Sequence, residues 1–541
     1  MPAKPFPWKY LNLVALVLFI GFNVLIRVKE NQMGDDTRMQ FANAQAWRQG
    51  YGVSLLYADP TDLARVAPRV VEFWPPGYAL FAGTALHFTD NLELVHWLVD
   101  SLGFVLFFGG WFLIGRRLIP FTAPYFPALL MLTWGFGYVF KWFPTVDFVA
   151  MSWHVFGMAC LVEWIARGEG SRRTGWLIAS GLAAFGACFF RFAYYLLTFV
   201  PAGVLLTGAL LGNRRWWRPG LGLLAFTALL VGAQVLYQHY IAGSVNYLTQ
   251  RHAGRGDGIH WYNLKQFTTF VTQSIPGSSL LRMPELASDI MLAVLVLAGT
   301  AGVTWAARRL EKPARQVVYG WLGLTWGSFV LNIAFLVFLS LRYPPESWGP
   351  WTYVQEIRYF ALNMVTVGAM VVFLACWKGT PVPRFLRYVQ YGVVIFIGAH
   401  AYAYASFKHR VHESITPSEP FTTAEVVYEQ VRKAPGPVVF ATDQVNNYWD
   451  VIPMTSMGIF GAMGGAAIIK ADALVQSPRC SEPVTVLVAI VNAPPPGLDS
   501  LYSTYNARQV GTVGIGFKEG IPLMQFTLPA TAGRTDSRAA R

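Results

Sequence analysis

Eleven apolar runs of about 20 residues, most of them joined by short basic loops, dominate this chain of 541 residues, and about 20 is the length at which a helix crosses the ~30 Å hydrocarbon core of a bilayer. They lie near 9–27, 94–115, 122–140, 147–166, 175–191, 193–212, 219–240, 287–306, 317–340, 359–377 and 388–406. Inside lipid each backbone N–H and C=O must find its partner within the chain, so such runs have to be helices. Composition agrees: charged residues make up 13% against roughly 25% in an average soluble chain, and hydrophobic residues 54%. A chain with so little polar surface is not a soluble enzyme, a disordered scaffold, a collagen-like fibre or a disulfide mini-protein.

The net charge of +13 sits in clusters between the runs, at Arg116-Arg117, Arg172-Arg173, Arg214-Arg215-Trp216-Trp217-Arg218 and Arg308-Arg309. That spacing follows the positive-inside rule for short cytoplasmic loops and leaves no continuous basic face for nucleic acid. Arg27-Val28-Lys29-Glu30 follows the first run where a cleaved signal would have small residues, so the run reads as an uncleaved anchor with a cytoplasmic N-terminus. Alternation then places every cluster, with Lys312, Arg315, Lys378, Arg384 and Arg387, on the cytoplasmic side. Segments 28–93, 141–146, 241–286, 341–358 and everything after 407 fall outside. The reading is an integral protein of a bacterial inner or plasma membrane whose chemistry lies on the outer face, in the long loops. Trp74-Pro75-Pro76-Gly77-Tyr78 opens an apolar stretch over 74–90 that is short for a span and is expected to lie at the interface. The four cysteines show no disulfide framework.

These features predict an α-helical polytopic membrane protein with a small C-terminal α/β extracytoplasmic domain. The expected boundaries are a transmembrane module over 1–411 with outer loops 28–93, 241–286 and 341–358, an outer domain over 412–529, and a disordered tail over 530–541. Within the outer domain, Thr422–Lys433 and Asp499–Tyr505 have helical patterns. Pro437–Ala441, Val484–Val491, Gln509–Phe517 and Leu523–Leu528 read as strands.

Directly after the first run stands Gly34-Asp35-Asp36-Thr37, leading into a small-residue helix through Ala42 and Ala46 to Gly50. Adjacent carboxylates repel each other, so one can hold a raised pKa or a cation while its neighbour stays ionised; alternatively both cap the helix. With Glu72-Phe73-Trp74-Pro75-Pro76, Pro144-Thr145-Val146-Asp147, Arg191-Phe192-Ala193-Tyr194-Tyr195 and Glu356-Ile357-Arg358-Tyr359, the chain resembles the GT-C superfamily of polytopic glycosyltransferases, in the branch of protein mannosyltransferases and aminoarabinose transferases. The resemblance runs over about residues 10–406, in the family's order and on one face. It departs in one place, because the aminoarabinose branch usually has Lys before Pro-Pro and this chain has Trp74.

The resemblance implies transfer of a sugar from a polyprenyl-phosphate donor to an acceptor hydroxyl on a lipid, a polysaccharide or a protein. Asp35 would be the base and Asp36 its understudy, or the group that orients an Arg or binds a cation. Arg358 is favoured for the donor phosphate, with Arg191, Lys141 and Arg69 as alternatives; Arg358 and Arg191 read equally as snorkelling arginines and Lys141 as an interfacial anchor. Asp147, near the end of a span, requires a cation partner or a role in binding metal or acceptor. Glu72, Asp147, His252 and His260 offer oxygen and imidazole ligands for a divalent cation, although spacing does not show that they converge. His96 with Asp100, and His154, read as buried structural contacts, and aromatic 343–351 as an interfacial belt or a lid over the sugar. The rival reading is a transporter, flippase, polymerase or ligase of lipid-linked saccharides. Transporters place ionisable groups at midplane on broken helices in repeated halves, a pattern not seen here.

Overall fold

The computed structural model describes residues 7–30, 35–70, 74–135, 145–167, 171–242, 285–338, 361–379, 383–413, 420–443, 465–476, 479–515 and 518–531. By contacts the chain divides into a helical unit, Met1–Lys29 with Asp100–Ile415, and a sheet-containing unit, Glu30–Val99 with Thr416–Arg541. The helices are α1 (Trp8–Glu30), α2 (Asp35–Arg48), α3 (Gly77–Leu86), α4 (Leu92–Leu118), α5 (Phe126–Gly135), α6 (Thr145–Ala166), α7 (Ser171–Phe190) and α8 (Val200–Leu210). There follow α9 (Trp217–Ala242), α10 (Glu285–Arg308), α11 (Lys312–Phe338), α12 (Ala361–Ala375), α13 (Arg384–Glu413), α14 (Pro420–Lys433), α15 (Ala471–Gln476) and α16 (Leu498–Thr504). The strands are β1 (Ser54–Asp59), β2 (Asp62–Val70), β3 (Val438–Thr442), β4 (Ala467–Lys470), β5 (Val484–Val488), β6 (Arg508–Ile515) and β7 (Lys518–Leu528).

Each of the apolar runs holds one helix, α1 or one of α4 to α13. Among the described residues 7 are long and apolar enough to cross a membrane. The runs at 122–140 and 359–377 are described only in part, which leaves α5 and α12 short. Ten-residue α3 rises only about 15 Å, too little to span, as expected of the 74–90 stretch.

Small residues let the spans of the helical unit approach closely. A Cβ at Gly157 of α6 would stand 3.1 Å from the Ala184 nitrogen of α7. The Ser180 hydroxyl donates across that contact to the Gly157 carbonyl at 2.8 Å. At one end of the unit the basic clusters meet a single carboxylate: fully buried Glu163 accepts from Arg116 at 2.7 Å, from Arg117 Nε at 2.9 Å and from Arg167 at 3.2 Å. Arg173 lies 4.0 Å over the Trp164 ring, and Trp164 meets Trp216 edge-on at 6.1 Å. Clusters that alternation assigned to one side of the membrane therefore come together at one end of the bundle.

In the sheet-containing unit seven strands run in the order β2-β1-β4-β3-β5-β7-β6. The central pairs β1–β4, β4–β3 and β3–β5 are parallel, and the outer pairs antiparallel. Phe440 pairs with Ile468 and Leu487, and successive β3 residues feed opposite faces, Phe440 into one core and Val439 and Ala441 into the other. Strands buried on both faces are continuous apolar runs, which explains VVFAT and VTVLV. Met39 and Ala42 of α2 and Val427 of α14 cover the first face; Leu474 of α15 and Leu498 of α16 lie in the second core.

Two strands in this sheet come from the segment between the first and second apolar runs. An outer domain was expected over 412–529 alone, with 28–93 as a loop of the transmembrane module; the structure instead groups Glu30–Val99 with Thr416–Arg541 and makes β1 and β2 two of the seven strands. The expected tail lies outside the described residues from 532 on. The hairpin is hard to see in sequence because β2 is an edge strand, broken by Pro68 and lined with Arg65 and Arg69, as edges that must avoid further pairing are. Its turn is held by the Asp59 carboxylate, which accepts from the Thr61 amide at 2.8 Å. Four-residue β4 is too short to show a period.

Asp62 fastens the hairpin to the segment before β5 by accepting the Ser481 amide at 2.8 Å, and that bond holds its carboxyl below the usual range. A depressed folded-state pKa contributes stability that is present above the unfolded value of about 3.9 and lost as pH falls through the folded one. Exchange of the Ser481 amide is therefore expected to speed up below about pH 4, and Asp62→Asn should produce the same effect at pH 7. Equal Ser481 protection at pH 3 and pH 7 would rule this coupling out.

Candidate functional site

Asp35 and Asp36 occupy the first turn of α2; their side chains, like that of Arg38, lie outside the described ones. The helix that follows is unusual in what it buries. Thr37, Gln40, Asn43 and Gln45 are 0–2% exposed, and the Thr37 hydroxyl, both polar atoms of the Gln40 amide, the Asn43 oxygen and the Gln45 nitrogen have no hydrogen-bond partner among the described residues. A buried polar atom without a partner costs about 1–3 kcal/mol, so a row of them is retained against a steady penalty. Helical spacing places Asp36, Gln40 and Asn43 in one stripe, at i, i+4 and i+7. Met39, Ala42 and Ala46 form another stripe, which seats α2 on the sheet.

The C-terminal end of α2 is tied down by charge. Arg48 donates to both Asp90 and the Tyr428 hydroxyl, Tyr428 donates to Asp90 at 3.2 Å, and Arg432 lies 3.4 Å from the second Asp90 oxygen. The Arg48 guanidinium holds the Asp90 carboxyl below its usual range. Beside this cluster α3 crosses α2 at Gly83, where a Cβ would stand 2.5 Å from Trp47 and 2.9 Å from the Ala44 carbonyl. Trp74, which stands where the aminoarabinose branch has Lys, packs against the sheet core with Met39 and Leu55. Arg69 is exposed on β2 with its guanidinium 4.8 Å over the Tyr57 ring.

In the helical unit the structure joins two of the predicted residues. Asp147, in the first turn of α6, receives the Arg191 guanidinium at 2.7 Å, both side chains 11% exposed. The cation that Asp147 requires near the end of a span is therefore Arg191. Two turns further along α6, His154 shares a 2.8 Å hydrogen bond with Ser328 of α11 and lies 5.8 Å from the Tyr194 ring. One turn beyond Ser328, Asn332 donates to Asn363 of α12, whose own amide donates to the Phe329 carbonyl at 3.3 Å. A buried polar ladder thus links α6, α11 and α12, and Arg358 lies five residues before its last member.

Glu72, Lys141, His252, His260, Arg358 and the aromatic 343–351 segment lie outside the described residues. Among the described residues no three His, Cys, Asp or Glu stand together as a metal site, and the Asp147 carboxylate is engaged by Arg191. His154 is the helix contact expected of it, and His96 bonds the Tyr78 hydroxyl at 3.2 Å. Sequence reading missed Gln40, Asn43, Ser328, Asn332 and Asn363. The available signal was amide and hydroxyl residues inside otherwise apolar or small-residue helices.

The architecture is that of the GT-C-like fold, a helical unit with several helices long and apolar enough to cross a membrane and a sheet-containing α/β unit. Among solved structures it is shared with the aminoarabinose transferase ArnT of Cupriavidus metallidurans in the apo state, with a TM-score of 0.51 at 14% identity, covering 94% of this chain and 97% of that one. ArnT bound to undecaprenyl phosphate gives 0.46 at 16%, covering 96% and 98%. The Archaeoglobus fulgidus oligosaccharyltransferase in complex with zinc and sulfate gives 0.46 at 12%, covering 87% and 67%. No protein-family model and no curated protein sequence matches the chain.

The Asp147–Arg191 pair has a measurable signature. Breaking a buried ion pair by removing one partner is costly, so Asp147→Ala is expected to destabilise the protein by about 3–5 kcal/mol. Replacing both residues, Asp147→Leu with Arg191→Met, should cost less than the single change. A double-mutant cycle by denaturant unfolding in detergent checks this; additive losses would mean that the two side chains do not interact.

Proposed function

We propose that this chain transfers a sugar from a polyprenyl-phosphate donor to an acceptor hydroxyl at the outer face of the membrane. One observation carries the reading. An acidic pair opens α2, and the same helix buries Thr37, Gln40 and Asn43 with polar atoms that have no hydrogen-bond partner among the described residues and could serve a polyol's hydroxyls. The GT-C-like fold and the order of the acidic, Pro-Pro and basic motifs support it.

In the proposed step the Asp35 carboxylate takes the acceptor O–H proton as the acceptor oxygen bonds the sugar's anomeric carbon. The bond from that carbon to the phosphate oxygen breaks, and its electron pair leaves with the phosphate. Asp36, in register with Gln40 and Asn43, orients the acceptor or the sugar while the two amides bind hydroxyls. The departing phosphate needs a lasting positive charge, and the Arg358 guanidinium provides it with a fork that suits two oxygens. Arg191, already neutralised by Asp147, acts as a positioning residue. Lys141 and Arg69 are secondary candidates for the phosphate, and the acceptor is a lipid, a polysaccharide or a protein.

Asp35→Asn keeps size and removes the base, so transfer by the purified variant should fall about 10²–10⁴-fold with its melting temperature unchanged. Incubation with labelled polyprenyl-phosphate sugars measures it, and wild-type turnover would remove Asp35 from the role. Arg358→Lys keeps the charge and loses the fork; donor binding or transfer is expected to weaken by about 1.5–3 kcal/mol. Equal activity in the wild type, Arg358→Lys and Arg358→Gln would return Arg358 to interfacial anchoring.

A further inference from the structure

Between α8 and α11 lies an apolar groove of about 510 Å³, lined by Phe199 and Val200 at one end and by Leu211, Trp216 and Tyr319 at the other. Glycines line much of it, and most of them are explained by packing. A Cβ at Gly208 would stand 2.4 Å from Trp216, one at Gly320 2.4 Å from Ile165, and one at Gly327 2.9 Å from Val200. Gly203 is different: its Cβ would meet nothing within 4 Å. At this position the missing side chain opens the groove and relieves no contact inside the protein.

The length and charge of the groove identify an occupant. From Phe199 to Leu211 the wall rises about 18 Å, close to the ~15 Å depth of one leaflet and far short of the whole ~30 Å core. Its Trp216 end belongs to the basic end of the bundle, because Trp216 meets Trp164, which lies under Arg173. Arg214 precedes Trp216 by two residues, and Arg315 stands one helical turn before Tyr319 on the opposite wall. The groove is therefore apolar over about one leaflet's depth, and its Trp216 end has Arg214 and Arg315 within one helical turn of the residues that line it.

We propose that this groove holds one acyl chain of an anionic diacylglycerophospholipid, drawn from the leaflet at the basic end, with the headgroup phosphate taken by Arg214 and Arg315. The Asp147–Arg191 pair lies at the other end of α6, about 24 Å from Glu163 along the helix, and Ser328 and Asn332 of the polar ladder do not line the groove although their neighbours Gly327 and Leu331 do, so the proposal is independent of the glycosyltransferase reading. Leu211, 83% exposed, and Val330, 50% exposed, leave the groove open sideways, as an acyl chain entering from the bilayer requires.

The test is native mass spectrometry of the full-length protein in detergent, titrated with phosphatidylglycerol, phosphatidylcholine and undecaprenyl phosphate, in parallel with melting temperature. Wild type should bind one phosphatidylglycerol at least about tenfold more tightly than phosphatidylcholine. Gly203→Leu fills open space at a helical position where Leu is the better helix former, so it should keep its melting temperature in lipid-free detergent and weaken phosphatidylglycerol about tenfold or more. Thr207→Leu, one turn along the same wall, should do the same and serves if the first variant fails to fold. Arg214→Gln with Arg315→Gln should abolish the preference for phosphatidylglycerol while leaving phosphatidylcholine binding unchanged. The proposal is overturned if both Leu variants bind phosphatidylglycerol as wild type does, if the arginine variant keeps the preference, or if undecaprenyl phosphate displaces phosphatidylglycerol from the site.

Discussion

A charge in an apolar interior has to be paired, and among the described residues of the helical unit two such pairings stand out. At one end Glu163 collects three arginines from the ends of α4 and α6. Toward the other end of α6, Asp147 takes Arg191 from the end of α7. Desolvating either carboxylate alone would cost several kcal/mol, so each pair limits how far its helices can slide or rotate against one another. The spans between these ends can then be apolar and small-faced, and packing rather than polarity holds them together.

In the sheet-containing unit the corresponding role belongs to parallel strand pairing. β1 pairs with β4, and β4 with β3, so a hairpin from the segment between the first and second apolar runs becomes part of a sheet whose other strands follow residue 437. The same core seats α2 through Met39 and Ala42 and takes up Trp74. The C-terminal segment is thus part of the platform under the helix that Asp35 and Asp36 open. Arg48, Asp90, Tyr428 and Arg432 fasten the far end of that helix. With an apolar face below, α2 can carry a second face whose Gln40 amide and Asn43 oxygen are buried with no partner among the described residues.

Glycine has two separate roles in the membrane helices. At Gly157, Gly208 and Gly320 it allows close approach, because a Cβ would meet a neighbour at 3.1 Å or less. At Gly203 it leaves open space in the wall of a groove. Both look the same in sequence, and only the distance to the next element separates them.

The sequence by itself determined where the membrane helices lie, that the basic loops belong together, and most of the elements after residue 420. These follow from local period, run length and charge, which act over one element at a time. The acidic pair that opens α2 and the need of Asp147 for a cation were legible for the same reason. Tertiary structure alone decided that the cation is Arg191, 44 residues further on, and that β1 and β2 join a sheet built about 400 residues later. It alone showed that the Gln40 amide and the Asn43 oxygen are buried with no partner among the described residues and that His154, Ser328, Asn332 and Asn363 share a polar ladder. Pairing across such separations depends on which faces meet, and a lone His, Asn or Gln in a helix carries no local sign of its partner.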